Sequence, residues 1–300
     1  MMPVPPPIFL TGPTGSGKSS VALELARLLG NVEIVGADAF QVYRGMEILT
    51  AAPGEDAKRA VPHHLCSFLS PSSSWDAARH GRMAGEIMTE LAQRGRRALV
   101  TGGSGLYVRF ISHGVSPAPP SSPALRSKLD ALPLDELVRR LGELDPEGAR
   151  VTPLQNKRYV VRSLEIVLLG GKPLAHWRHH RTTRALGPGF TLVRETEDLN
   201  RRIARRAEAM LEAGAAREVA ALGSLSSTAE KALGLAQIRA YLRGETSGEE
   251  CAEALSLATR QYARRQRTWL RREDWLTPVP VAPGTSSAET ARAIAEHICR

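Results

Sequence analysis

The chain has 300 residues, 42% of them hydrophobic, which is enough for one large or two modest domains with a substantial core. Lysine and arginine outnumber aspartate and glutamate 40 to 31, and the net charge of +9 at pH 7 suits a polyanionic partner. No apolar run approaches the ~20 residues that span a bilayer, residues 1–7 lack the marks of a signal peptide, and Cys66, Cys251 and Cys299 have no metal-ligand spacing. Membrane, secreted and zinc-bound classes are therefore set aside, and a cytoplasmic protein with unpaired thiols is expected.

In chain order, Ile8-Phe9-Leu10 reads as a strand, and Gly12-Pro13-Thr14-Gly15-Ser16-Gly17-Lys18-Ser19 follows it and opens a helical pattern over 21–26. This is GxxxxGK[ST] in its required strand-before, helix-after setting. Its glycines let successive N–H groups face an anion, Lys18 adds charge, Ser19 offers a hydroxyl to Mg²⁺, and the helix N-terminus adds its dipole. A di- or triphosphate ligand follows, but which reaction it serves does not. Residues 32–37 read as a second strand, with Asp38 just beyond its end, facing the phosphate crevice. A carboxylate there serves as Mg²⁺ ligand, general base or helix N-cap. A helix over 75–94 and a strand over 97–101 lead into the turn Gly102-Gly103-Ser104-Gly105, where Ser104 is placed like Asp38. Tyr43 and Tyr107 fit base stacking or plain packing, with packing the simpler reading.

Strands alternating with helices imply a parallel sheet. The proline- and serine-rich run 116–123 breaks the pattern, 124–170 is helical in period, and 171–189 is loose and rich in histidine and arginine. A strand over 190–193 returns to the sheet, and helices over 198–212, 215–222, 231–242, 248–271 and 288–298 complete the chain. The expected architecture is α/β, a P-loop NTPase-like parallel sheet core with a helical insertion domain and a helical C-terminal part. Residues 1–116 and 190–300 form the core and C-terminal helices, and 117–189 the insertion. Arg260, Arg264, Arg265, Arg267, Arg271 and Arg272 crowd 259–272 with no acidic residue between them. A helix made only for solubility interleaves acids at i,i+4, so this face reads as phosphate-contacting.

Taken together, the phosphate loop, Asp38-Ala39-Phe40-Gln41-Val42-Tyr43-Arg44-Gly45-Met46, Val61-Pro62-His63-His64-Leu65, Thr101-Gly102-Gly103-Ser104-Gly105-Leu106-Tyr107, Lys157-Arg158-Tyr159-Val160-Val161-Arg162 and Ala258-Thr259-Arg260-Gln261-Tyr262-Ala263-Arg264-Arg265-Gln266-Arg267-Thr268-Trp269 resemble the tRNA dimethylallyltransferases, in family order over nearly the whole chain. The resemblance implies transfer of a dimethylallyl group from its pyrophosphate to the exocyclic N6 of an adenine beside the anticodon. It implies Asp38 as the base, Ser104 (a threonine in most relatives) near the scissile oxygen, Arg202 on the pyrophosphate with Arg206 in support, and Mg²⁺ held through Ser19. The phosphate loop then grips a leaving group rather than ATP. The partners implied are dimethylallyl pyrophosphate and a tRNA anticodon stem-loop, whose target base must leave its stack. Asp38, Ala39, Phe40, Gln41 and Ser104 fall at the target base, with the Gln41 amide suited to an adenine edge. Arg126, Gln155, Arg158 and Tyr159 in the insertion, the segment 231–236, and Arg264, Arg265, Arg267 and Arg271 fall on the stem-loop.

The chain departs from the family pattern in several places. Ala39 stands for a common serine, Leu49 and Ala52 for a glycine and a lysine, Ser67 for an aspartate, Gln155-Asn156 for an Asn-Asp pair and Leu235 for a tyrosine. These bear on RNA recognition and rate, and leave Lys18, Asp38, Ser104 and Arg202 in place. The rival readings are a P-loop small-molecule kinase, an RNA-binding ATPase module, and prenylation of free adenine nucleotides. The basic insertion speaks for RNA. A monomer is the default.

Overall fold

The computed structural model describes residues 5–178 and 185–299, without the side chains of Arg178 and Cys299. They fall into two compact units. One comprises the chain up to Ser112 and from Ala185 onward, and the other the segment between. The sequence places its insertion at 117–189, and the observed breaks fall at His113 and Ala185. The loose stretch over 171–189 lies partly outside the described residues.

The larger unit is built on six strands, β1 (Ile8–Thr11), β2 (Val32–Gly36), β3 (His63–His64), β4 (Arg97–Gly102), β5 (Gly189–Val193) and β6 (Leu276–Pro280). Their order is β3-β2-β4-β1-β5-β6, and every pairing is parallel. β1 is buried at all four positions, as a central parallel strand covered on both faces must be. Alternate residues feed two cores. Ile8, Leu10, Ile34 and Leu99 pack with Val21 and Leu25 of the helix Lys18–Leu29 and with Ala291 and Ile294 of Ser287–Cys299. Phe9, Val35, Ala98 and Val100 pack on the other side with Ala84 and Leu91 of Ala77–Gln93 and Val108 and Ile111 of Gly105–Ser112. The result is three layers, helices on both faces of a parallel sheet.

β6 is absent from the sequence reading. Its sequence, Leu-Thr-Pro-Val-Pro, carries two prolines that a central strand excludes, and it escapes the exclusion by pairing on one side only, at the sheet edge. The helix expected over 231–242 is also two pieces, a 3₁₀ turn Ala229–Lys231 and a helix Leu235–Leu242, separated at Gly234, whose φ is +94°. A third core joins these pieces to the rest of the helical part, Val42, Tyr43, Leu49 and Trp75 packing with Val219, Leu235, Ile238 and Leu255. Tyr43 is fully buried there with its hydroxyl 2.8 Å from that of Thr228, so it packs rather than stacks on a base.

The smaller unit is helical among its described residues, with Pro123–Asp130, Leu134–Leu144, Pro146–Arg150, Lys157–Gly170 and Leu174–Arg178 around Leu137, Leu141, Val160 and Leu164. Buried Asp145 accepts from the N–H groups of Gly148 (2.9 Å) and Leu174 (2.7 Å), capping one helix and anchoring another. Among the described residues no helix is long and apolar enough to cross a membrane.

Candidate active site

Parallel register brings three loops together at the carboxyl edge of the sheet. Thr11 pairs with Gly102 and Gly36 with Thr101, so the phosphate-loop motif, Asp38 and Ser104 all leave the sheet at the same level. Gly102 permits the closeness, since a Cβ there would collide with the carbonyl oxygen of Ala37.

The phosphate loop is held from outside by arginines. Arg202 Nε donates to the carbonyl of Gly15 (2.9 Å), Arg194 Nε to that of Ser16 (2.8 Å), and Arg206 Nη2 to the hydroxyl of Thr14 (2.8 Å). Arg194 is buried and is neutralised by Asp198 Oδ2 at 2.8 Å, one helical turn away. With those carbonyls occupied and the N–H groups of Thr14 and Ser16 spent on Gln266 and the Pro13 carbonyl, the N–H groups of Gly15 and Gly17 are the loop donors left for an anion among the described residues. The helix begins at Lys18 from a Gly17 cap that offers no side-chain acceptor, so its first-turn N–H groups also lack partners. Gly15 and Gly17 stand at φ +82° and +94°, where a side chain is strained, and a Cβ on Gly15 would lie 2.9 Å from Ile203 Cγ1. Gly12 and Pro13 are buried beneath the curl, and Ser19 is exposed at its mouth.

Gln266 ties this loop to the Ser104 turn. Its Oε1 accepts from the N–H of Thr14 (2.8 Å), and its Nε2 donates to the carbonyl of Gly103 (2.9 Å). Ser104 Oγ in turn accepts from the N–H of Ala39 (3.2 Å) and lies 3.4 Å from the Tyr262 hydroxyl. The residue standing where relatives have serine is thus anchored through its backbone. Asp38 Oδ1 accepts from the N–H of Phe40 (3.0 Å) in an Asx turn. No helix starts at Asp38, so the capping role does not apply, and Oδ2 has no hydrogen bond among the described residues.

Electrostatics follow from this packing. Burial lowers Lys18 from 10.5 to about 8, against the pull of Asp38 and with a further push from Arg206. Burial and the Asp38 charge raise Tyr262 to about 12, which keeps it a phenol at neutral pH. Burial likewise raises Cys66 to about 12, with Asp38 adding, so this free thiol is no nucleophile.

A cavity of about 540 Å³ is lined by the phosphate loop, Asp38, Tyr262 and Gln266, while Ser104 and Cys66 lie outside its wall. Its cationic end carries Lys18, Arg202, Arg205 and Arg206 beside Ser19. Asp38, Tyr262 and Gln266 follow, and Phe40, Leu49 and Leu233 give apolar wall. Magnesium suits the oxygen donors of Ser19 and Asp38, but no group of three or more His, Cys, Asp or Glu among the described residues makes a metal cage. The site thus fits a cation that arrives with phosphate oxygens and keeps its waters. Arg205, Tyr262, Gln266 and the Arg194–Asp198 pair were not legible as site residues. The available signals were the i,i+4 spacings of Tyr262 with Gln266, inside the arginine-rich helix, and of Arg194 with Asp198.

The residues assigned to RNA by resemblance separate into three groups. Phe40 and Gln41 line the cavity, although both N–H bonds of the Gln41 amide go to the carbonyls of Thr50 (3.2 Å) and Ala51 (2.9 Å). Arg264, Arg265 and Arg271 are exposed on or just past the helix Gly248–Leu270, and Arg265 lies over the Tyr262 ring at 5.6 Å. Arg267 donates to the Thr196 hydroxyl at 2.8 Å. In the smaller unit Gln155, Arg158 and Tyr159 are exposed, whereas the Arg126 guanidinium is turned onto the fully buried carboxylate of Glu165.

A family model described as IPP transferase matches residues 41–273. A curated tRNA dimethylallyltransferase from Akkermansia muciniphila is 52% identical over 291 residues, 97% of each chain. The solved tRNA isopentenylpyrophosphate transferase of Bacillus halodurans superposes with a TM-score of 0.70 at 29% identity, covering 97% of this chain and 95% of that one. A eukaryotic dimethylallyltransferase captured acting on tRNA shares the fold, with a TM-score of 0.84 at 22% identity over 98% of this chain and 78% of that one.

Proposed function

The chain belongs to the IPP transferase family and is a tRNA-modifying prenyltransferase, and from that premise we propose that dimethylallyl pyrophosphate is its donor and N6 of an adenine beside the anticodon its acceptor. The observation that carries this reading is one cavity lined both by the glycine-rich loop with Lys18 and by Asp38, whose Oδ2 has no hydrogen bond among the described residues. The adenine amine is a poor nucleophile because its lone pair is delocalised into the ring. As N6 attacks the allylic C1, the C1–O bond breaks and its electron pair leaves with pyrophosphate. The Asp38 carboxylate takes the proton that N6 sheds. Negative charge growing on the leaving group meets the free loop N–H groups, Lys18 and the guanidinium of Arg202, whose Nε is already held by the Gly15 carbonyl. Ser104, held by Ala39 and Tyr262, is assigned the hydroxyl near the scissile oxygen. Ser19 would hold Mg²⁺ arriving with the diphosphate, where it would supply further charge neutralisation.

The exposed arginines 264, 265 and 271 and the surface of the smaller unit around Gln155, Arg158 and Tyr159 are assigned to the stem-loop backbone and flanking bases. The protein works as a cytoplasmic monomer in this reading. To test it, purified protein is incubated with Mg²⁺, dimethylallyl pyrophosphate and unmodified tRNA, and the digested nucleosides are weighed. Isopentenyladenosine in place of one adenosine of the anticodon loop supports the proposal. A prenylated free nucleotide with unmodified tRNA, or phosphoryl transfer from ATP, overturns it.

A further inference from the structure

The helix Glu47–Thr50 forms part of the cavity wall through Leu49, Thr50 and Ala51, yet it is a single turn with little reason to exist alone. A helix that short bears the full cost of nucleation. Its N-cap, Met46, supplies no side-chain acceptor. The acceptors come instead from another helix, Ala215–Ala220, distant in sequence. Glu218 Oε2 takes the N–H of Ile48 and Oε1 that of Leu49, both at 2.8 Å, so one half-buried carboxylate serves two orphan donors. At the other end of the turn Ala51 sits in the left-handed region at φ +49°, and the carbonyls of Thr50 and Ala51 accept the two N–H bonds of the Gln41 amide.

This chain of contacts fixes the polarity of Gln41. A free glutamine can offer an adenine both a donor and an acceptor. Here the nitrogen is fully spent on Thr50 and Ala51, and no hydrogen bond among the described residues reaches Oε1. We infer that Glu218 is a positioning residue that, through the Glu47–Thr50 turn, locks Gln41 as an acceptor-only group in the cavity, selecting a base by an exocyclic amino group and rejecting a carbonyl at that edge. The inference rests on the proposed base substrate. It goes further in stating in which orientation Gln41 meets the base and which distant carboxylate sets it. Glu218 touches neither substrate nor Asp38. Its effect passes through the placement of two backbone carbonyls.

The test uses anticodon stem-loops that carry either the target adenine or purine, which lacks the amino group, with binding followed by fluorescence. Wild type, Gln41→Met and Glu218→Gln are compared, and pyrophosphate affinity and melting temperature are measured for each. Gln41→Met keeps the volume and removes both amide functions. Glu218→Gln replaces one acceptor by an NH₂ that confronts the N–H of the turn. Asp38 contributes to the preference equally in all three proteins and cancels in the comparison. The adenine-over-purine ratio should fall about five- to tenfold in Gln41→Met, the worth of one buried hydrogen bond, and by a similar factor in Glu218→Gln. Pyrophosphate affinity should stay within about twofold, which separates this from general unfolding. An unchanged ratio in either variant overturns the inference. If Glu218→Gln melts early, Gln41→Met, which leaves the clamp intact, decides the acceptor role. A wild type that prenylates RNA but shows no amino-group preference overturns this inference alone, whereas one that prenylates no RNA overturns the proposed function with it.

Discussion

Lys18 offers a quantitative test of how the phosphate loop works, because burial holds it at about 8 rather than 10.5 in the free protein. A bound diphosphate supplies the missing counter-charge and returns the ammonium toward its ordinary value. Affinity must then fall as pH rises through the free-protein value, since above it a proton has to be taken up before the ligand can bind. Between about pH 7 and about pH 9.5 the charged fraction of the free form drops roughly 30-fold, and affinity for pyrophosphate should weaken by that factor. The same shift acts on the fold with the opposite sign. The folded value lies below the unfolded one, so the unfolded chain binds the extra proton between about 8 and 10.5, and the free protein gains stability as pH rises through that window. The full gain is about 3.5 kcal/mol, the fall from 10.5 to about 8 at about 1.4 kcal/mol per pH unit. Titration calorimetry of pyrophosphate across this range, run beside Lys18→Arg to subtract the ligand's own titration, measures the first effect. Denaturant midpoints over the same range measure the second. Affinity curves for wild type and Lys18→Arg that remain parallel through about pH 9.5 would refute the reasoning.

Three further substitutions have stated outcomes. Asp38→Asn should cut the single-turnover rate of tRNA prenylation by about 10²–10⁴ while leaving pyrophosphate affinity at neutral pH within a few-fold, because only the proton acceptor is lost. Asp198→Asn leaves the buried Arg194 guanidinium without its counter-charge, both side chains being less than a tenth exposed. It should cost about 3–5 kcal/mol in a urea melt and weaken pyrophosphate binding by loosening the Ser16 carbonyl. Leu164→Ala opens a cavity at a fully buried position of the smaller unit. A cost of about 2–5 kcal/mol there should lower kcat/KM for tRNA, with pyrophosphate affinity measured by calorimetry unchanged.

What the sequence displayed was whatever is encoded locally. The phosphate loop is legible because one short run must supply the turn glycines, the lysine and the hydroxyl together. Asp38 and Ser104 are legible because each directly follows an apolar strand. The two faces of the central strands are less so, because they read as continuous apolar runs. β6 hides behind Pro278 and Pro280, tolerated only at an edge that the sequence does not mark. The Arg194 hold on the Ser16 carbonyl, the Gln266 bridge from Thr14 to Gly103 and the Glu218 clamp on Ile48 and Leu49 join residues that tertiary packing alone brings to the site. Arg126, assigned to RNA through the family resemblance, is paired with Glu165, whose burial no local pattern announces.

The central claim is that the loop grips a leaving group and hydrolyses no nucleotide. It is tested most directly by counting pyrophosphate released against isopentenyladenosine formed, in a reaction containing tRNA, dimethylallyl pyrophosphate and Mg²⁺ but no nucleoside triphosphate. The account predicts one pyrophosphate per modified adenosine and none when tRNA is omitted. Product that requires ATP, or pyrophosphate released without tRNA, would contradict it.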